Sequence, residues 1–247
     1  MILALVGRGR MGQEIERLAR AEGHRVQFAI DLPENAGGAA LSREALSGVE
    51  AVIDFSQPEA VLPNIRRVAE AGVPMVVGTT GWYDGLGEAR RWIETHQTAL
   101  VYGANFSIGA NLFLKLADYA ARLFDRFPAY DPYVLEHHHR DKVDAPSGTA
   151  LQLAERLLAR TRRKSRIQVG NPVGKIPPEA LHVASLRAGA AFGRHGVGFD
   201  SATDSVELVH TARNREGFAR GALFAAEWVQ GKRGVFEFSE VLTESDP

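Results

Sequence analysis

The amino-acid sequence predicts an α/β protein in which a doubly wound parallel sheet carries a second, α+β domain built on a mixed or antiparallel sheet. Two observations predict it. Over residues 1–106, short apolar runs alternate with segments of helical period, as a parallel sheet with crossover helices requires. From about residue 180 the pattern changes to strand-like runs separated by glycine-rich turns.

The first run, Ile2 to Val6, is continuously apolar and ends in Gly7-Arg8-Gly9-Arg10-Met11-Gly12, followed by the helix-like QEIERLARAEG. Strand, G-x-G-x-x-G and helix in that order form the context of a dinucleotide fingerprint, hence a Rossmann-like sheet. Gly7 permits the tight turn, Gly9 lets the backbone approach a pyrophosphate, and Gly12 lets the helix pack close to the strand. A second strand, HRVQFAID, ends in Asp31, placed to accept from a ribose 2′-hydroxyl. Either Arg8 or Arg10 could instead reach a 2′-phosphate, which leaves NADH and NADPH both open.

The alternation continues through Ala51-Val52-Ile53-Asp54-Phe55, helical PEAVLPNIRRVAEAG, Pro74 to Gly78, helical GLGEARRWIETHQ and Ala99 to Tyr102. Open α/β sheets gather ligands at the carboxyl ends of their strands. Those ends are GRGRMG, Asp31, DFSQP, Gly78-Thr79-Thr80-Gly81-Trp82 and Gly103-Ala104-Asn105-Phe106-Ser107, and together they can line one crevice. Either of the last two alone would read as an ordinary strand-to-helix loop.

From Ile108, NLFLKLADYAARLFDRFP has the apolar spacing of a core-facing helix. TRRKSRIQVG, with Arg162, Arg163, Lys164 and Arg166, reads as a solvated basic turn. Val183 to Leu186, Gly196 to Asp200 and Val206 to Thr211 read as antiparallel strands of a sheet able to pair with another subunit. The apolar helix in ARGALFAAEWVQGKRG returns to the nucleotide domain. Residues 1–106 with about 214–247 are thus expected to bind the dinucleotide, and about 107–213 to bind substrate and form the oligomer.

The chemical centre is Glu136 to Ala150, EHHHRDKVDAPSGTA. Val134 to His139 reads as a strand end, RDKVDAPSGTA as a loop, and ALQLAERLLAR as an amphipathic helix. Ser147-Gly148-Thr149 falls where the free N–H groups and dipole of that helix favour a carboxylate or phosphate. His138 and Lys142, four residues apart, can bring an imidazole and an ammonium to one small molecule. The plainer alternatives are a helix cap beside a solvated strand edge, or a zinc site on His137 and His139, for which no third ligand stands out.

A 45% hydrophobic and 24% charged composition is that of a globular protein, and a net charge of −1 gives no general attraction to nucleic acid or acidic membrane. Without cysteine there is no disulfide, thiolate chemistry or Cys-held metal. MILALVG lacks the features of a signal peptide and no apolar run reaches membrane-spanning length, so the expected location is the cytoplasm.

EHHHRDKVDAPSGTA resembles the signature of the dihydrodipicolinate reductases (4-hydroxy-tetrahydrodipicolinate reductases) of lysine biosynthesis through diaminopimelate. GRMG, DFS, VGTTGW, GANFSIGAN, Arg187-Ala188-Gly189 and GVFEFSEVL resemble the same family in the same order. The chain departs from many members in a glycine loop one residue shorter and in Leu32, where an arginine often follows the acid. The resemblance implies NADH- or NADPH-dependent reduction of 4-hydroxy-tetrahydrodipicolinate to tetrahydrodipicolinate as water is lost. By the same resemblance His138 gives and takes the proton and Lys142 is a second donor. His139, Gly148 and Thr149 then hold a substrate carboxylate, and His137 has no role. Gly7 to Gly12, Asp31, Gly78, Thr79, Thr80 and Gly103 to Phe106 contact the cofactor, with no metal, and the family is commonly tetrameric through the second-domain sheet. Another two-domain dehydrogenase of amino or sugar substrates, or an NAD(H)-binding redox sensor, would share the nucleotide domain without needing His138, Lys142 and SGT together.

Overall fold

The computed structural model describes residues 1–243, which fall into two compact units: Met1–Ile108 with the chain from Arg215 onward, and Gly109–Asn214. The first unit opens with β1 (Ile2–Val6), α1 (Arg10–Ala21), β2 (Arg25–Ile30), β3 (Ala51–Asp54), α2 (Pro58–Glu70), β4 (Met75–Val77), α3 (Leu86–Thr95) and β5 (Ala99–Tyr102). The second contains α4 (Ile108–Phe124), β6 (Asp131–His138), α5 (Gly148–Arg160), β7 (Arg166–Val169), β8 (Ala180–Arg187), β9 (Gly193–Asp200) and β10 (Ser205–Ala212). The chain then rejoins the first unit through α6 (Glu216–Trp228), β11 (Gly234–Glu237) and α7 (Phe238–Val241).

The strands of the first unit are apolar without alternation because both faces of their sheet are covered. Leu3, Leu5, Ile53, Val76 and Val101 face a core shared with Ile15 and Leu18 of α1 and Ala222 and Leu223 of α6. Ala4, Val6, Val52, Met75 and Leu100 face the opposite core, with Val61 and Ile65 of α2 and Ile93 of α3. All pairings are parallel, in the order β11-β5-β4-β3-β1-β2. The order reverses between β1 and β3, so the glycine loop leaves β1 at the switch point where such sheets bind ligands. The edge strand β11 lies within the GVFEFSEVL motif, for which the sequence reading assigns no strand.

The second unit's sheet runs β10-β9-β6-β8-β7 and is mixed: β6, β8 and β7 are mutually parallel, whereas β9 is antiparallel to β6 and β10. The sheet is mixed because β8 pairs parallel to β6, and β7, a strand the basic segment hides from Arg166 onward, extends that parallel edge, while β9 and β10 keep the antiparallel pairing read from the sequence. Phe113, Leu114, Ala117 and Ala121 of α4 and Leu153, Ala154 and Leu157 of α5 cover the inner face over Val134, Leu181, Val183, Val197 and Phe199. The basic turn is not simply solvated. The Lys164 side chain is 1% exposed, paired with Asp131 at 2.5 Å and donating to the carbonyls of Pro178 and Ala180 at 2.8 and 2.9 Å. A buried ammonium is tolerable only with partners of this kind.

Candidate active site

Strand register builds the site in the second unit. Side chains alternate along a strand and in-register neighbours share a face, so Glu136 and His138 point inward together. In the sheet Glu136 is registered with Ser185 on β8 and His195 on β9, and His138 with Arg187 on β8. His137 points to the other face, where its Nε2 meets the carbonyl of Ala188. β6 ends one residue earlier than read from the sequence, leaving His139 past the strand with its N–H donating to Ala191 O at 2.8 Å. The pair read as possible zinc ligands therefore does not share a strand face.

Glu136 is fully buried, and its carboxylate is a junction. Oε2 faces His138 Nδ1, Oε1 accepts from Arg187 Nη2 at 2.6 Å, and Oε1 also accepts from Ser147 N at 3.3 Å. Burial alone would raise this carboxyl, but the bond from Arg187 and the charges of His138 and Arg187 hold it below the usual range. The His138 imidazole is pulled below its ordinary value by burial, with Glu136 opposing and Lys142 and Arg187 adding to the fall. Arg187 also donates to Asp144 O at 2.6 Å, clamping the strand pair to the loop that carries Lys142.

Ser147 is the N-cap of α5: its φ of −68° and ψ of 156° are extended, and its Oγ accepts from Ala150 N at 3.2 Å. The same hydroxyl lies 3.0 Å from His195 Nε2. Gly148 and Thr149 occupy the first helical turn, which carries no acidic residue, so its N–H groups and dipole remain suited to an anion. Lys142 is one-quarter exposed and forms an ion pair with Asp144 at 2.6 Å. The ligand atoms of Glu136, His138 and His195 lie within 4.8 Å of one another, a spacing a cation could bridge, although the Arg187 guanidinium already supplies positive charge there. Sequence reasoning quoted Glu136 and Arg187 without giving them a role and missed His195. The signal available was period-2 spacing from His138, which marks Glu136 but cannot reach across strands.

In the first unit the glycine loop fits a dinucleotide. A Cβ at Gly12 would sit 1.9 Å from the Gly7 carbonyl oxygen, while the space above Gly9 is open. Gly9 caps α1 with no side-chain bond and no acid follows in the first turn, so the helix start can face a pyrophosphate. One depression beside the loop is lined by Gly7, Arg8, Gly12, Asp31 and Leu32, and another by Gly9, Arg10, Met11, Phe55, Gly78 and Thr80. Asp31 is already engaged, accepting from Arg8 N and Leu32 N at 2.9 Å each. Thr79 is buried and its hydroxyl is spent on Asp54 and Ser56. Ala104 is exposed and Asn105 caps the turn to Ser107 N at 2.8 Å. Phe106 is 1% exposed and packs edge-to-face with Phe55 and tilted against Phe238, which leaves only its backbone for a ligand.

A fold with a pyrophosphate-ready helix start in one unit, and an imidazole held beside an anion-ready helix start in the other, belongs to the class of nicotinamide-dependent oxidoreductases of two-unit build. Residues 1–106 match the family model of dihydrodipicolinate reductase N-terminal domains, and residues 109–242 that of the C-terminal domains. The chain belongs to the dihydrodipicolinate reductase family. It is 34% identical to 4-hydroxy-tetrahydrodipicolinate reductase of Christiangramia forsetii, covering 99% of this chain and 98% of that one. It is 38% identical to the protein of the same name from Chromobacterium violaceum, over 95% of each. Its fold resembles dipicolinate-bound dihydrodipicolinate reductase from Paenisporosarcina sp. TG-14, with a TM-score of 0.77 at 24% identity over 96% and 97% of the two chains.

Proposed function

We propose that this protein reduces 4-hydroxy-tetrahydrodipicolinate to tetrahydrodipicolinate in the diaminopimelate route to lysine, using NADH or NADPH. The observation that carries the reading is the buried Glu136–His138 pair beside the Ser147 helix cap. Bound reduced nicotinamide supplies a hydride. The chain's own residues supply the proton that departure of water requires, and the charge that holds the substrate. His138, with Nδ1 turned to Glu136, has Nε2 left to give or take that proton. Lys142 is the second donor once a substrate carboxylate competes with Asp144 for its ammonium. The N–H groups of Gly148 and Thr149, with His139, bind a carboxylate of the substrate. The dinucleotide lies along Gly7 to Gly12, with Asp31 accepting from the ribose and the 78–80 and 103–106 loops lining its path. Leu32, standing where many family members have an arginine after the acid, weakens the case for strict NADPH use.

The first unit in this reading is the dinucleotide-binding domain, and the second binds substrate and forms a homotetramer. Support for assembly comes from the open face of the second sheet, where Leu135, Leu186 and Val209 are 37%, 51% and 45% exposed. No helix among the described residues is long and apolar enough to cross a membrane, and a cytoplasmic location completes the proposal.

The test is oxidation of NADH and of NADPH with substrate made in place by the synthase from pyruvate and aspartate semialdehyde. His138→Gln and Lys142→Ala are each expected to lower kcat about 100-fold or more, the usual scale of positioned acid–base catalysis. Binding of reduced nicotinamide with no synthase-dependent oxidation would sink the reading.

A further inference from the structure

The atoms around Glu136 carry more than a structural ion pair. Its two carboxylate oxygens are divided between tasks: one faces the imidazole of His138, and the other holds the Arg187 guanidinium and the N–H of the helix-cap residue Ser147. A fully buried carboxylate so occupied has one arrangement open to it, and whatever it bonds is fixed with it. We propose that Glu136 is the positioning residue of this site. It holds the His138 ring in the Nδ1–H tautomer with Nε2 as the reactive nitrogen, and locks that ring to the helix start that receives the substrate carboxylate. The proposal deepens the function proposed above and rests on it only for the statement that Nε2 is reactive.

Two features beyond the ion pair support it. A neutral imidazole in water prefers no single arrangement strongly, but a carboxylate at Nδ1 can only accept, so the proton must sit on that nitrogen. Nε2 meanwhile points toward Gly193, where an added Cβ would stand 3.0 Å from it, so the chain keeps this side of the ring free of side-chain bulk. The second link, Ser147 N to Glu136, means that the anion-binding turn and the proton donor share one rigid support. Their separation is then set by β6 rather than by the loop between them. This agrees with the general rule that a catalytic imidazole is oriented by a third group.

The groups facing His138 are Glu136 on its own strand, Arg187 on β8, His195 on β9 and Lys142 in the following loop. Of these, Glu136 alone favours the imidazolium, so its neutralisation has a definite sign: the His138 pKa falls.

The experiment is nitrogen-15 NMR of the histidine rings in the full chain, followed by kinetics. In the wild-type protein without ligands, neutral His138 is expected as the Nδ1–H tautomer; an Nε2–H tautomer would overturn the proposal without need of any variant. In Glu136→Gln the midpoint of the His138 titration should fall by about 1 on the pH scale, the low end of the effect of a close opposite charge. The alkaline limb of kcat/KM should move with it, kcat should fall about tenfold or more, and KM for the reduced nicotinamide should stay unchanged. Glu136→Asp should restore part of the lost midpoint. A folded Glu136→Gln protein with unchanged His138 titration and tautomer would reject the proposal. If the NMR titration moves while the pH profile does not, Glu136 still orients His138, and it is the assignment of His138 as proton donor that fails.

Discussion

His195 shows how one residue's environment sets both its charge state and its use. Burial, helped by the positive charge of protonated His138, pushes its imidazole down to about 4, so it is neutral wherever the enzyme works. A neutral Nε2 can accept from the Ser147 hydroxyl, which frees that oxygen to accept in turn from Ala150 N. A second imidazolium here would repel His138, Arg187 and Lys142. The sign of the stability effect follows: the unfolded state takes up a proton near pH 6.5 and the folded state does not, so stability is full above that value and is lost as pH falls. The loss should reach about 3 kcal/mol by pH 4, because each pH unit separating the folded and unfolded titrations is worth roughly 1.4 kcal/mol. Denaturant melts between pH 7 and pH 4 should show this slope, and His195→Gln should flatten it. At Gly193 the expected outcome is kinetic: Gly193→Ala crowds His138 Nε2 and should lower kcat/KM about tenfold while the melt changes little.

At the scale of elements, α1 and α5 both begin without an acid in their first turn, α1 uncapped by any side chain and α5 capped by Ser147, and each depends on what precedes it. α1 begins after a crossing so tight that a methyl on Gly12 would overlap the Gly7 carbonyl, and Gly7 itself has a φ of +94°. Gly12→Ala should lift the helix from the strand, cost about 2 kcal/mol and abolish binding of reduced nicotinamide, checked by a thermal melt and a fluorescence titration. α5 begins with Ser147, whose hydroxyl caps the helix and whose N–H is bound by Glu136. Ser147→Ala should cost about 1 kcal/mol for the cap, and more because His195 Nε2 loses its partner. Urea unfolding measures the loss, and a rise in KM for substrate should accompany it. Both helix starts were legible in the sequence because glycine spacing and an S-G-T run at the edge of an apolar helical period are local signals. The short β7 was not, since RIQV sits among charged residues and becomes a strand only because β8 offers it a parallel edge.

For the whole molecule, the second sheet is covered by α4 and α5 on one face, while Leu135, Leu186 and Val209 stand exposed on the other. Apolar side chains aligned across neighbouring strands mark a surface that gains by burial. If the proposed tetramer forms through this face, Leu186→Asp shifts the protein to smaller species, read by light scattering at fixed concentration. A wild-type protein that is monomeric at micromolar concentration would refute assembly through this face.

The sequence by itself determined the alternating strand and helix order, the glycine loop at the end of the first strand, and the run from Glu136 to Ala150 in which imidazole, ammonium and helix start lie close together. These are short-range patterns, each contained within a few turns or one strand. Only the tertiary structure decided which groups surround His138. Glu136 lies two residues away and could be suspected, but Arg187 and His195 reach the site through the register of β8 and β9. Register is settled by which faces bury Val134, Val183 and Val197 together, a property of the assembled sheet that no single strand contains. The same holds for Lys164: its sequence neighbours are basic and suggest solvent, while the carboxylate and carbonyls that make its burial possible arrive from Asp131, Pro178 and Ala180.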